Sequence, residues 1–252
     1  MSGAAASAPA TAGAPVARSL LHLSDVHTYI DESHILQGVS FAVTAGRVTV
    51  LLGRNGAGKT TTLRTILGLL PARTGTMTFD GVALSGRRPH EIVQHGIGYV
   101  PEDRDVFASL TVAENLTLAR RPGAAAARLA HVHQLFPELE RRAGQRAGSL
   151  SGGQQQMVAI ARALVNDNRL LLIDEPSKGL APVVVTHMTE ALAAIKGATT
   201  ILLVEQNLAV AQALGDDAVI LDDGRVVFSG SMAEVAADEA LQARYLGAGA
   251  HQ

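Results

Sequence analysis

Gly53-Arg54-Asn55-Gly56-Ala57-Gly58-Lys59-Thr60 follows directly on the apolar run Val48-Thr49-Val50-Leu51-Leu52. A strand-like run leading into G-x-x-x-x-G-K-[ST] implies a cradle for nucleotide phosphates. Its glycines let the backbone curl until successive N–H groups, and the start of the following helix, face the β- and γ-phosphates. Lys59 supplies a mobile positive charge and Thr60 a hydroxyl ligand for Mg²⁺. Gly53, Arg54, Asn55, Gly56, Ala57, Gly58, Lys59, Thr60 and the adjoining Thr61 are therefore candidate nucleotide-binding residues. With 25 glycines in 252 residues the octet also arises by chance, as an ordinary strand–helix loop, so the rest of the chain has to decide.

Leu150-Ser151-Gly152-Gly153-Gln154 comes next, with Ser151 standing 92 positions after Lys59, and then Leu170-Leu171-Leu172-Ile173 closes on Asp174-Glu175. An apolar run that ends in an acid reads as a buried parallel strand with a carboxylate at its C-terminal edge. Asp174 is the candidate Mg²⁺ ligand, and Glu175 is placed to orient and polarise a water for in-line attack on a γ-phosphate. Without the upstream cradle this acidic pair would read as a solvated turn. Ser151 can cap the helix through Gln155–Arg162, and the two glycines allow close approach of backbone to an anion. That makes a second phosphate-binding surface. One nucleotide does not need two, so the second serves a nucleotide held by another subunit.

Cradle, Leu-Ser-Gly-Gly-Gln and Asp-Glu, in this order, resemble the ATP-binding cassette (ABC) ATPases, for which the pentapeptide is the signature. The resemblance runs through nearly the whole chain from about Arg18. It implies an α/β fold of the P-loop NTPase (RecA-like) type: a mostly parallel sheet core with antiparallel β strands and an α-helical subdomain. It also implies a head-to-tail dimer, in which Ser151, Gly152, Gly153 and Gln154 meet ATP held by the partner. The 92-residue spacing leaves no room for the long coiled coil of the DNA-repair relatives.

Three positions depart from the common pattern. Glu102, after Pro101, stands where most of the family has a Mg²⁺-sensing Gln, and a carboxylate can also join a metal shell. Ala181 replaces an interface Asp. Gln206, in Val204-Glu205-Gln206-Asn207, replaces the switch His; glutamine can donate to a γ-phosphate but does not titrate. Together these resemble one subgroup, the ATPase components of branched-chain amino acid importers. The resemblance implies a heterodimer with a second, His-bearing ABC ATPase subunit, a homodimer being the alternative for the isolated chain, and Gln206 with Ala181 motivates the expectation of two unequal ATP sites. It places the pair under two transmembrane permease subunits fed by an external solute-binding protein, peripheral to the cytoplasmic face of the inner membrane. Related importers carry urea and short amides. The shared motifs also suit an exporter cassette or a regulatory ATP-binding module, the last disfavoured by Glu175. The family stacks an aromatic residue on adenine ten positions before Ser40. Here that position is Ile30, with Tyr29 one residue earlier, so both are candidates and Tyr29 equally reads as a plain strand residue.

Composition sets outer limits. The balance of 21 basic to 23 acidic residues gives no electrostatic case for nucleic acid. Cysteine is absent, which excludes disulfides and thiol chemistry. Residues 1–17, rich in Ala, Ser, Pro and Gly, lack a basic start before an apolar core and read as a disordered tail. No apolar run approaches the roughly 20 residues that cross a bilayer. The expected organisation is one ABC ATPase domain over 18–247, with a helical subdomain at about 102–160 and a short tail at 248–252. Strands are expected near 19–25, 37–44, 47–53, 76–79, 169–173 and 200–204. Helices are expected from Gly58 to about Leu69 and from Val183 to Ile195, with capping boxes opening helices at Thr111 and Ser231 and a hairpin turning at Asp223-Gly224.

Overall fold

The computed structural model describes residues 18–123 and 126–247. The two expected tails, 1–17 and 248–252, lie outside the described residues. The chain opens with β1 (Ser19–Ile30), β2 (Ser33–Thr44), β3 (Val48–Leu52), α1 (Lys59–Ile66), β4 (Ala72–Phe79), β5 (Val82–Ala83), α2 (Pro89–Gln94) and β6 (Ile97–Val100). Helices α3 (Val112–Ala119), α4 (Ala126–Leu135), α5 (Pro137–Arg141) and α6 (Gly152–Leu164) follow. The chain then runs through β7 (Leu170–Asp174), α7 (Pro182–Ile195), β8 (Thr200–Val204), α8 (Leu208–Leu214), β9 (Asp217–Asp222), β10 (Arg225–Ser231), α9 (Met232–Ala237) and α10 (Glu239–Tyr245).

The larger sheet has the spatial order β10-β9-β3-β8-β7-β6. Its pairings are parallel from β9 to β6, and only β10 is antiparallel. Both faces are covered, which is why β3, β7 and β8 read as continuous apolar runs rather than alternating ones. Successive side chains point to opposite faces. Val50, Leu171, Ile173, Ile201 and Leu203 enter a core with α6 and α7, while Leu51, Leu170, Leu172, Leu202 and Val204 enter a second core with α1 and the smaller sheet. Each such Leu or Ile, fully buried, contributes roughly 1.5–3 kcal/mol of transfer free energy. The smaller sheet, β2-β1-β4-β5, is antiparallel throughout.

Boundaries differ from the expected ones for local reasons. The first two strands run on into one long hairpin that turns at Asp31-Glu32. Their register shifts between Leu23 and Val26, so the buried positions change from Leu21 and Leu23 to Val26 and Thr28. A bulge of this kind interrupts the period-2 pattern and hides the strand's continuation. The opposing Gly75 accommodates it, because a Cβ there would lie 2.2 Å from the Asp25 carbonyl oxygen. Helix α1 ends three residues before the expected Leu69, since Gly68 takes a φ of 69° that ends the helix. The Thr111–Glu114 and Ser231–Glu234 capping boxes open α3 and α9 as expected. Among the described residues, no helix is long and apolar enough to cross a membrane.

Candidate functional site

Strands β3, β8 and β7 are neighbours and parallel, so the segments that leave their C-terminal ends emerge side by side. The phosphate-cradle octet leaves β3, Glu205-Gln206 leaves β8, and Asp174 closes β7 with Glu175 next. Residues more than a hundred positions apart thus share one crevice, at the edge where open α/β sheets bind ligands.

In the loop after β3, Gly53 has a φ of 144°, and a Cβ there would fall 2.3 Å from the Leu221 carbonyl oxygen. Only glycine fits. Gly58, at φ 102°, precedes α1, whose first turn no side chain caps. Its uncapped N–H groups form a partial positive pole beside the loop. The Lys59 ammonium is buried, donates to the carbonyls of Gly53 at 2.8 Å and Arg54 at 3.1 Å, and lies 3.7 Å from Glu175 Oε1. Burial pulls its pKa down, while Glu175 and Asp174 push it back up. Asn55, Gly56, Lys59, Thr60 and Thr61 line a cleft of about 330 Å³ that Glu102, Glu175 and Lys178 also border.

Thr60 Oγ1 donates to Asp174 Oδ1 at 3.2 Å. Asp174 is fully buried, and its other carboxylate oxygen has no hydrogen-bond partner. Burial first, then the neighbouring charges of Glu175 and Glu102, raises its pKa to about 6 against the opposing Thr60 hydrogen bond. An unpartnered buried carboxylate oxygen beside a hydroxyl, at the foot of a phosphate loop, has the donor chemistry that a hard divalent cation takes. The residues present therefore fit Mg²⁺. Glu102 reaches the same cleft, with its carboxylate paired to Lys178.

Glu175 is buried and sits at φ 42°, in the left-handed region, with its N–H bonded to the Val204 carbonyl at 2.9 Å. Such a backbone costs on the order of 1–3 kcal/mol and persists only where surrounding contacts over-determine it. Gln206 Nε2 donates both to Glu175 Oε1 and, at 2.6 Å, to Asn55 Oδ1. Asn55, Glu175 and Gln206 are thus drawn together from three loops.

Glu205 is a residue that sequence reasoning passed over. Its buried carboxylate accepts from Ser177 Oγ at 3.0 Å and from the backbone N–H groups of Ser177, Gln206 and Asn207 at 3.1–3.2 Å. It ties the loop after β8 to the loop after β7. Burial raises its pKa and the hydrogen bonds restrain the rise. The signal was present in the sequence: Glu205 closes an apolar run just as Asp174 does.

Two further groups stand outside the lining of this cleft. Ser151 caps α6 in a reciprocal box with Gln154, whose Nε2 donates to Glu138 Oε1 at 2.8 Å. Gly152 and Gly153 pack beside Arg104 and Val184, so Ser151–Gln154 are outside the lining of the chain's own cleft. Tyr29 stacks face to face on His34, ring centroids 4.2 Å apart, with the Arg73 guanidinium 4.7 Å from its centroid. Ile30 is exposed, and the apolar side chain that borders the cleft is Ile35.

Comparison with known proteins agrees with this geometry. The ABC transporter family matches residues 36–178. A high-affinity branched-chain amino acid transport ATP-binding protein, BraG of Pseudomonas aeruginosa, is 39% identical over 232 residues, covering 90% of this chain and all of that one. A probable branched-chain amino acid transport ATP-binding protein, LivF of Archaeoglobus fulgidus, is 35% identical over 86% of this chain and 94% of its own. Among solved structures, an ATP-binding subunit of an ABC transporter superposes with a TM-score of 0.78 at 32% identity, covering 91% of this chain and 97% of that one. With the motifs, the strand order and these relatives in agreement, the chain belongs to the ABC transporter family, as one of its ATP-binding, ATP-hydrolysing subunits.

Proposed function

We propose that this chain powers uptake of branched-chain or other apolar amino acids as the ATPase subunit of an importer. The convergence of Lys59, Thr60, Asp174, Glu175 and Gln206 from three neighbouring strand ends carries the catalytic part of this reading. The solute class rests on the names of the two relatives and on Glu102, Ala181 and Gln206, the positions that set this chain apart within the family.

The loop N–H groups of residues 53–61 and the Lys59 ammonium receive the β- and γ-phosphates. Thr60 and Asp174 would hold Mg²⁺, which would offset phosphate charge when bound, and the Glu102 carboxylate borders the same cleft. Glu175, kept in place by its backbone bond to Val204 and by Gln206, accepts a hydrogen bond from the attacking water and aligns it with the γ-phosphorus. Gln206 donates its amide toward the phosphate that reaches this position. Ser151, Gly152, Gly153 and Gln154 serve the ATP of a second ABC ATPase subunit, whose own signature completes this cleft. Closure of the pair is passed through the groove between the core and the helical segment, near Glu102 to Leu110, to two permease subunits at the cytoplasmic face of the membrane.

Reconstitution tests this reading. The chain, co-expressed with a His-bearing cassette and its two permeases and placed in proteoliposomes with the solute-binding protein, is expected to accumulate labelled leucine on ATP addition, and Glu175→Gln is expected to stop it. Accumulation of urea or short amides instead, or outward transport, would replace the solute assignment. Hydrolysis indifferent to Glu175→Gln would overturn the catalytic one.

A further inference from the structure

We infer that Lys178 is the charge partner that makes the Glu102 carboxylate tolerable in an ATP cleft, and so sets nucleotide affinity. This rests on the ATPase reading and adds a residue to it. Glu102 and Glu175 line a cleft that must accept a triphosphate, and Asp174 lies buried behind it, bonded to Thr60 of the lining. Carboxylates this close to an anion of several charges repel it unless cations stand between them. Lys59 is one such cation, but it stands beside Glu175 Oε1 and is the group that meets the phosphates, which leaves Glu102 to be balanced by another. Arg64 lowers the pKa of Asp174 and lines a neighbouring cavity with it, but forms no ion pair with Glu102 among those the described residues show.

Lys178 is the cation on the Glu102 side. Its ammonium donates to Glu102 Oε1 and stands 3.7 Å from Glu175 Oε2. Lys59 stands at the same distance from Glu175 Oε1, so each oxygen of that carboxylate faces one ammonium. The Lys178 backbone is fixed for this by a turn in which its N–H bonds to the Glu175 carbonyl at 3.1 Å. Glu102 and Glu175 together hold the Lys178 pKa above its ordinary value. The Lys178 side chain is 60% exposed, and an ion pair that open to water contributes little to folding. Its consequence is the local field in the cleft, so its loss should appear in nucleotide binding while the fold is kept.

Lys178 is thus a positioning and charge-compensating residue that acts through Glu102. The test is titration of the full chain with a non-hydrolysable β,γ-imido analogue of ATP, once with Mg²⁺ and once with EDTA, followed by steady-state hydrolysis and a thermal melt. Lys178→Met is expected to weaken binding roughly tenfold under both conditions, raising KM more than it lowers kcat. Lys178→Arg retains the charge and should bind within about threefold of the unaltered chain. Glu102→Gln removes the need for compensation, so the double variant E102Q/K178M should bind like E102Q alone. Unchanged binding by K178M, or a double variant as weak as K178M, would overturn the inference. Lys59→Ala is the control for the ATPase reading: if it binds the analogue as well as the unaltered chain does, that reading fails independently of Lys178.

Discussion

The Gln206 side-chain amide donates to the Glu175 carboxylate, joining the loop after β8 to the loop after β7 at the point where the proposed mechanism holds its water. Because this amide cannot lose or gain a proton near neutrality, the contact keeps one charge state where the usual histidine would titrate. Gln206→His should therefore add a second titrating group to the rate–pH profile of hydrolysis, beyond Asp174, and Gln206→Ala should lower kcat roughly tenfold or more. Rate–pH profiles of the assembled complex check both, and equal single-site rates in the unaltered heterodimer would remove the argument for two unequal sites.

Glu205 gives a stability prediction. Glu205→Ala deletes the acceptor for four donors and leaves buried N–H groups without a partner. We expect a loss of about 2–4 kcal/mol in denaturant unfolding, with hydrolysis falling too because Gln206 and Ser177 lose their anchor. Glu205→Gln keeps one acceptor oxygen and should cost less. Equal stability of the alanine variant and the unaltered chain would show that these donors are satisfied in another way.

Which features were legible in the sequence follows from how local their signals are. The phosphate loop, the acid closing β7, the capping boxes of α3 and α9 and the Ser151 cap of α6 are each written within about eight residues, and each is found in place. The continuation of β1 was hidden by the bulge at Ser24-Asp25, which shifts the alternation by one residue. The Tyr29–His34 stack depends on hairpin register, and the Lys178–Glu102 pair joins residues 76 positions apart. Neither contact has a pattern that a linear reading can weigh. Short β5 and α2 are set by packing beside longer elements, with few residues to show a period.

Asp174 links the site to pH. Its pKa in the folded chain is about 6, against an ordinary value of 3.8, so between these pH values the folded chain binds more protons than the unfolded one. Stability from this group is therefore fully present below pH 3.8 and is lost as pH rises through 6, leaving a cost of roughly 2–3 kcal/mol at neutrality. Asp174→Asn keeps the Thr60 contact, removes the buried charge and should raise the melting temperature of the nucleotide-free chain at pH 7.5, a gain that shrinks towards pH 4. The same change should abolish Mg²⁺-dependent hydrolysis. A melting temperature lowered at pH 7.5 would contradict the assigned burial cost.

Gly153 lies outside the lining of the chain's own cleft, on the surface proposed to meet a partner's nucleotide. A Cβ at this position would lie 2.6 Å from Val184 Cγ1, so Gly153→Ala must push α6 away from α7 or turn the Val184 side chain. The expected cost is about 1–3 kcal/mol of stability, recovered in large part by Val184→Ala, which opens the space again. Since Gly153 does not line the cleft of its own chain, analogue binding by the isolated G153A/V184A chain should match that of the unaltered one. Hydrolysis by the assembled pair should nevertheless fall, because the added methyl stands where the proposed head-to-tail arrangement brings the backbone to the partner's nucleotide. Calorimetric titration of the isolated chain beside ATPase assays of the complex distinguishes the two surfaces. Binding lost in step with hydrolysis would mean that the signature serves the nucleotide held by the same chain, and the head-to-tail arrangement would have to be given up.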